Sequence, residues 1–246
     1  MNDTIKLLME HSSIRKYADT PLTSDQLHTI IAAGQQASTS SNMQAYSIIR
    51  ITDKTIRQEL MKLSGQQQHV EEAPEFLVWC ADLSRIHHAT IGAKLIAPND
   101  HLELAEHFII AAVDAALAAQ NSAVAAESMG LGILYVGGIR NHIHQVAELL
   151  QLPRYVAPLF GMCIGYPLEQ PILRPRLPIA AVLHENHYTS NDSHVAQYND
   201  RMAAYVFDRS GGRQQFNWSE AMAKRLEGKQ RDDVLTFLHK QNLLKK

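Results

Sequence analysis

Four short segments, far apart along the chain, carry side chains suited to holding a phosphate. In the first, His11, Ser13 and Arg15 alternate within HSSIR. An extended chain points alternate side chains the same way, so these three would span about 14 Å at roughly 3.4 Å per residue. An imidazole, a hydroxyl and a guanidinium are all donors to phosphate oxygens. Taken alone, the same residues also fit a helix C-terminus followed by a surface arginine. The second segment is the polar stretch 38–44, where Thr39, Ser40 and Ser41 offer hydroxyls and free backbone N–H groups. An ordinary serine-rich turn has the same composition. The third is Gly137-Gly138, where missing side chains let a flat ring or a phosphate approach the backbone. The fourth is Arg174-Pro175-Arg176, in which proline fixes φ and stiffens the link between two guanidiniums. Together the four describe a phosphate site built from loops.

Other chemistries lack their residues. The glycine pair is not a GxGxxG and no acidic residue follows at dinucleotide spacing, which disfavours a Rossmann site. There is no GxSxG elbow and no HExxH, so no side-chain nucleophile and no metallopeptidase centre is expected. His87, His88 and His101 crowd one stretch and could suggest a metal, but a surface insertion is the preferred reading and no metal is expected. Cys80 and Cys163 each sit in an apolar run without a CxxC, which reads as two core thiols in a reducing compartment.

The elements that must position these residues follow from periodicity and turn chemistry. Residues 3–11 read as an amphipathic helix capped by Asp3 or Thr4, followed by an extended segment to Pro21. Thr23 to Gln26 resembles a capping box opening a helix. YSIIRIT and EFLVWCADL read as strands around the helix KTIRQELMKLSG, which Gly65 ends. Residues 85–101 read as irregular. The stretch 102–129 reads as a long helix ended by Gly130, with ten alanines between 105 and 126 and one narrow polar stripe at 106/107, 114, 120/121 and 127/128. Such a helix is buried on several sides, against a sheet and either a second subunit or more of its own chain. LGILYVGG and APLFGMCIGYP are strands flanking the helix HIHQVAELLQL, and 171–178 is an extended, proline-pinned strap. From 191 onward the chain is helical and charged, with a break at Gly211-Gly212.

With 246 residues, 46% hydrophobic and 20% charged, the composition is that of a globular protein. The first residues lack a basic n-region and cleavage site, and the apolar run after 102 is broken by His107, Asp114, Gln120 and Asn121. A soluble, cytoplasmic protein without a membrane span is therefore expected. The net charge of −2 conceals an asymmetry: residues 201–246 hold 10 Lys+Arg against 5 Asp+Glu, while residues 1–200 hold 13 against 20. A basic final fifth could face an anionic ligand or be a solvated helical surface. It lacks interleaved aromatics, so nucleic-acid binding is not expected.

The ordered series HSSIRKY, TSSNMQ, ADL near 82, AAESMGLG with YVGG and Arg140, LFGMCIGYP, RPRLP and HENHY closely resembles the nitroreductase superfamily. The likeness is to its oxygen-insensitive NADPH nitroreductases and NADPH–flavin oxidoreductases, and it runs over essentially the whole chain. It implies an α+β fold with a central, mostly antiparallel sheet flanked by helices, in an intertwined homodimer. It implies FMN as cofactor and NADPH as co-substrate. The flavin then carries the chemistry, in ping-pong hydride transfer to nitroaromatics, quinones or flavins, with no catalytic side chain and Arg15 in electrostatic support. By position, the FMN ligands would be His11, Ser13, Arg15, Thr39, Ser40, Ser41, Gln67, Tyr135, Gly137, Gly138, Arg174 and Arg176. Arg209, Arg213 and Arg231 would take the 2′-phosphate of NADPH, which gives the basic end of the chain a purpose. Residues 1–190 would form the FMN-binding core and 191–246 a helical arm. The sequence departs from that pattern at Asn42, where a larger apolar residue is usual, and at Asp232, where proline is common. A flavin reductase supplying free reduced flavin to a partner, and a flavin-storage protein, are the competing readings.

Overall fold

The computed structural model describes residues 1–92, 99–190, 192–228 and 230–246, which form two compact units. The first comprises Met1–Pro171 and Arg231–Lys246, the second Ile172–Gln230. The expected division at 190/191 therefore falls inside the second unit, and the last sixteen residues belong to the first. The reason is apolar: Phe237, Leu238 and Leu243 near the C-terminus are buried with Ile143, Ala147 and Tyr155, and Tyr155 N–H donates to Gln241 O at 2.8 Å.

The first unit is built on an antiparallel sheet in the order β1-β2-β4-β3, with β1 at Tyr46–Arg50, β2 at Glu75–Asp82, β3 at Gly132–Val136 and β4 at Val156–Gly165. Every residue of β2 is buried because both faces of the sheet are covered. Leu77 and Trp79 point to one cluster with Ile133, Met162 and the alanines of helix α6 (Ala105–Ser128). Phe76, Val78 and Cys80 point to another, against Leu60 and Met61 of α3 (Lys54–Leu63) and Val70 of α4 (Gln68–Glu72). That two-sided burial explains an unbroken apolar run where a half-exposed strand would alternate. Cys80 and Cys163 are free core thiols, and burial pushes both up to about 12.

Helix α1 (Asp3–Met9) ends two residues earlier than expected, and its cap is Asn2 in place of Asp3 or Thr4, the Asn2 side chain accepting from Ile5 N–H. The capping box at Thr23 and Gln26 forms as expected and opens α2 (Ser24–Gln35). The stretch from 85 differs: Ser84–Gly92 is a helix, α5. Its start is fixed by Asp82, whose Oδ1 accepts from both the N–H and the hydroxyl of Ser84 at 2.9 and 2.6 Å. His87 packs on Tyr155, with ring centroids 4.7 Å apart, and part of the expected irregular stretch, 93–98, lies outside the described residues. Helix α7 (Ile143–Leu149) and the C-terminal α10 (Val234–Lys240) complete this unit.

By length and composition helix α6 could cross a membrane, with a hydropathy of 1.5 in its most apolar window. It packs on α2 and the sheet, as its broad apolar circumference implied. The polar stripe does not share one setting: Asp114 is buried while Gln120 and Asn121 are exposed, and the apolar Ile109, Val113 and Leu117 are exposed too. Small residues face inward because α2 approaches closely. A methyl group on Gly34 would lie 2.3 Å from Ser122 Oγ and 3.0 Å from Ala118 O.

In the second unit an extended strap runs through Arg174-Pro175-Arg176 to helix α8 (Asp192–Arg209), and α9 is Trp218–Glu227. Tyr198, Met202, Tyr205 and Val206 of α8 form its core with Leu177, Phe216 and Trp218. The turn between the helices carries Gly211 and Gly212 at φ 62° and 78°, as the glycine break implied.

Asp82 supplies a pH-dependent contribution. Burial alone would raise its carboxyl, but hydrogen bonds from Ser47 Oγ and Ser84 hold it below the usual carboxylate value. Its stabilisation is therefore full above the unfolded carboxylate pKa of about 3.9. It is lost as pH falls through the lower folded value. Ser47→Ala should cost about 1.5–3 kcal/mol at neutral pH and move the acid-unfolding midpoint upward, read by circular dichroism. Identical acid midpoints would show that the Ser47 bond contributes nothing.

Candidate active site

Segment 11–15 lies along the edge of β3. Ile14 N–H donates to Ile133 O at 3.0 Å and its side chain is buried against Gly132, where a Cβ would meet Ile14 Cγ1 at 2.5 Å. With Ile14 turned inward, Ser13 is half-buried and Arg15 exposed. Farther along, Ala18 N–H donates to Tyr166 O and Leu168 N–H to Lys16 O, so the segment continues as an edge beside the end of β4. Arg15 N–H donates to Glu169 at 2.6 Å and its guanidinium to Ser13 O at 3.3 Å. His11 Nδ1 lies 2.6 Å from Glu127 Oε1 of α6, leaving Nε2 for any further ligand. Glu10, Glu127 and Glu169 line the cavity of about 750 Å³ beside His11, so an anion at His11 itself would face carboxylates. Burial and Glu127 also raise the Tyr135 phenol, keeping it neutral. Its hydroxyl is 3.4 Å from Gln120 Oε1, and its ring meets Phe160 edge-on at 5.4 Å.

The glycine pair is the meeting point of the second cluster. A Cβ on Gly138 would lie 2.3 Å from both Gln67 Nε2 and Ser64 O, so this turn closes only without a side chain. Around it, Gln67 Nε2 donates to Ser64 O at 2.5 Å and Asn141 Nδ2 to the same carbonyl at 3.2 Å. Arg231 Nε donates to Asn141 Oδ1 at 2.9 Å, and Gln67 Oε1 lies 3.0 Å from His69 Nε2. Beside Gly137, the position a Cβ would take is 3.6 Å from Arg140 Nη2 and 4.0 Å from Arg231 Nη2. The Arg140 guanidinium donates to Leu159 O, and burial together with Arg231 lowers its pKa. Burial and then the Arg15 charge lower the His69 pKa, so this imidazole is neutral near pH 7. Arg140 and Arg231 thus bear on one patch of nearly bare backbone, and the Arg15 charge is felt at His69.

The serine loop sits elsewhere in the chain. Asp114 of α6 accepts from Ser40 N–H at 3.0 Å and Ala45 N–H at 3.1 Å, and the carboxylate is buried. Between those anchors Ser41, Asn42 and Gln44 adopt left-handed φ values of 49°, 56° and 49°. Non-glycine residues rarely do so without being held. Asp114 and Glu127 stand thirteen residues apart in the same helix, which is about 20 Å at 1.5 Å per residue. Within one chain, Thr39, Ser40 and Ser41 are therefore remote from His11.

Of the expected residues, Gln67, Gly137, Gly138 and Arg231 come together, Arg15 lies with Ser13 against Glu169, and His11 with Tyr135 adjoins Glu127. Arg174, Arg176, Arg209 and Arg213 belong to the second unit. There the Arg174 and Arg209 guanidiniums both lie over Tyr205, while Arg213 Nε donates to Ser210 O. The sequence reading singled out neither Asn141, His69, Glu127 nor Tyr205. Asp114 carries a signal, a carboxylate in mid-helix among alanines, but its place in the polar stripe assigns it no partner. Among the described residues no group of three or more His, Cys, Asp or Glu is placed to hold a metal.

Comparison with known proteins agrees over the whole chain. The Nitroreductase family profile matches residues 8–166, and that of the Nitroreductase family, C-terminal domain, matches 174–246. An oxygen-insensitive NADPH nitroreductase of Salmonella typhimurium is 45% identical over 98% of both chains. The structure of an NADPH:FMN oxidoreductase from Vibrio harveyi, complexed with NAD+, superimposes with a TM-score of 0.89 at 43% identity over 100% of both chains. Nitroreductase A from Vibrio parahaemolyticus does so with a TM-score of 0.91, also at 43% identity and full coverage.

Asp114→Ala should leave the Ser40 N–H and the buried Ala45 N–H without their acceptor and destabilise the protein by about 2–4 kcal/mol. The measurement is urea unfolding. Proteolysis at Ser41 to Gln44 should speed up in parallel. Wild-type stability would mean that the loop holds itself.

Proposed function

The chain belongs to the nitroreductase family, and from that premise we propose that it is an FMN-dependent NADPH oxidoreductase acting on nitro compounds, quinones or flavins. The observation that carries this reading is the Gly137-Gly138 turn, flanked by the Gln67 amide and overlooked by Arg140 and Arg231. Its donor set is rich in N–H groups, which fits a flat, acceptor-rich ring joined to a phosphate. FMN, when bound, supplies the two-electron hydride chemistry that no side chain of this chain offers.

The protein's part is to bind, orient and balance charge. Gly137 and Gly138 keep the backbone bare beneath the ring, with Tyr135 at the side. Gln67 is held by Ser64 and His69, so its amide is already oriented. Arg15 offers a positive charge for the electron-rich edge of the ring, and the neutral His69 does not compete with it. Arg174 and Arg176, on a stiff strap, are assigned to the phosphate, as are Ser13 and the Nε2 side of His11, whose Nδ1 is taken by Glu127. Arg209, Arg213 and Arg231 take the 2′-phosphate of NADPH.

The active form is proposed to be a homodimer. Ile109, Val113 and Leu117 make a stripe at helical spacing on α6 and are 54%, 49% and 45% exposed. A second copy covering that stripe would bring its own Thr39, Ser40 and Ser41 toward the first copy's flavin, which answers the 20 Å separation along the helix. A cytoplasmic setting fits two buried, unpaired thiols.

Purified protein given FMN should turn yellow, and anaerobic NADPH should bleach the flavin absorbance in a single two-electron step. Retained flavin that NADPH does not bleach would make this a storage protein. Arg209→Ala should lower kcat/KM for NADPH about tenfold to a hundredfold, from roughly 1.5–3 kcal/mol per charge-assisted contact, and leave NADH unchanged. An intact NADPH preference would remove Arg209 from the nucleotide site. Turnover of free FMN measured against nitrofurazone then decides between flavin reductase and nitroreductase.

A further inference from the structure

The second unit gathers two guanidiniums onto one ring. Tyr205 lies two helical turns after Tyr198 on the inner face of α8, and its ring is buried beside Met202 and Val206. The Arg209 Cζ stands over that ring, 5.7 Å from its centroid, one turn farther along the helix. The Arg174 Cζ, from the strap, stands over the same ring at 5.8 Å. The strap is tied down next to that point, because the Tyr198 hydroxyl donates to Pro175 O at 3.0 Å. Both guanidiniums are within cation–π range, where the negative face of the ring attracts them. Among the described residues no carboxylate forms an ion pair with Arg174 or Arg209. Two exposed, like charges are thus held by an uncharged aromatic anchor, and their charge stays available to an anion.

We infer that Tyr205 is a positioning residue shared by two phosphate contacts: its ring holds Arg174, read as a ligand of the flavin phosphate, and Arg209, read as the contact to the 2′-phosphate of NADPH. This inference rests on the functional reading above and adds that cofactor retention and nucleotide preference depend together on one side chain that touches neither ligand. The physical basis is preorganisation. A free arginine side chain carries substantial rotamer entropy, part of which must be lost when it grips a phosphate. Stacking on a buried ring removes some of that freedom beforehand.

The test compares Tyr205→Met, which fills the space without a π face, with Tyr205→Phe, which keeps the ring. For Tyr205→Met, the FMN dissociation constant and the KM for NADPH should both rise about threefold to thirtyfold, the range of one cation–π contact. The KM for NADH and kcat at saturating NADPH and FMN should stay within about twofold of wild type, a split that general misfolding does not produce. Tyr205→Phe should restore both affinities. The inference is overturned if Tyr205→Met keeps both affinities, if only one moves, or if Tyr205→Phe is equally impaired. Should Tyr205→Met not fold, Arg174→Ala, Arg209→Ala and their double variant carry the test, since both side chains are exposed. A shared ring makes their effects on FMN affinity non-additive, and strict additivity overturns it. Wild-type protein that takes up no FMN, or an Arg209→Ala variant with unchanged nucleotide preference, overturns the underlying functional reading. Normal wild-type behaviour with a silent Tyr205→Met overturns the positioning role alone.

Discussion

Helices α2 and α6 approach so closely that a single methyl group on Gly34 would collide with Ser122 and the Ala118 carbonyl. Everything around the candidate site depends on that contact. Close approach needs small residues on the inner face of α6, which is why alanines face α2 and the sheet. The larger side chains Ile109, Val113 and Leu117 are left on the outer face. The same helix carries two carboxylates about 20 Å apart along its axis. Asp114 ties down the serine loop through two backbone N–H groups, and Glu127 takes the imidazole of His11. One rigid element thus sets the distance between two groups of residues that the family resemblance assigns to a single cofactor. A fixed separation of that size inside one chain is what makes a two-chain site the economical reading.

A buried carboxylate is an expensive anchor unless its oxygens are satisfied, and Asp114 is satisfied by backbone alone. The loop it holds has three non-glycine residues at positive φ. Strain of that kind persists only where surrounding contacts over-determine the backbone. The serine loop is therefore held in shape before any ligand arrives, and its exposed hydroxyls do not have to be ordered by binding. At the other cluster the same end is reached differently. Gly138 lets the backbone touch the Ser64–Gln67 turn, and the Gln67 amide is committed at both ends to Ser64 and His69. In both places preorganisation comes from one side chain bonded to main-chain groups, the Asp114 carboxylate in the first and the Gln67 amide in the second.

Much of the fold was legible in the sequence because its signals are local. The capping box at Thr23, the glycines ending α3 and α6, and the β-branched runs of β1 and β2 each report on a few neighbouring residues. The antiparallel order of the sheet came from the family resemblance, since no local pattern encodes it. The helix at 84–92 escaped because its N-terminal hydrogen bonds come from Asp82, the last residue of a strand, in a stretch where histidines and β-branched residues blur the helical period. The role of Asp114 was not legible for a related reason. Its partners are N–H groups some seventy residues away, which no local pattern reports. The candidate site was legible as residue types but not as groupings. Nothing local separates Thr39 to Ser41 from His11, or joins Arg15 to His69 and Gln67.

Charge counting alone left the basic end of the chain open between a ligand-facing region and a solvated surface. The structure divides that excess between two settings. Arg231 lies in the first unit, bonded to Asn141 and close enough to Arg140 to lower its pKa. Arg209 lies in the second, stacked on Tyr205 together with Arg174. Solvated surface arginines are ordinarily spread out or paired with carboxylates, because like charges placed together repel. Here Arg174 and Arg209 are brought together by an aromatic ring. Two like charges gathered on a neutral ring have a repulsion that a phosphate relieves on arrival. That favours the ligand-facing reading on physical grounds, independently of any family likeness.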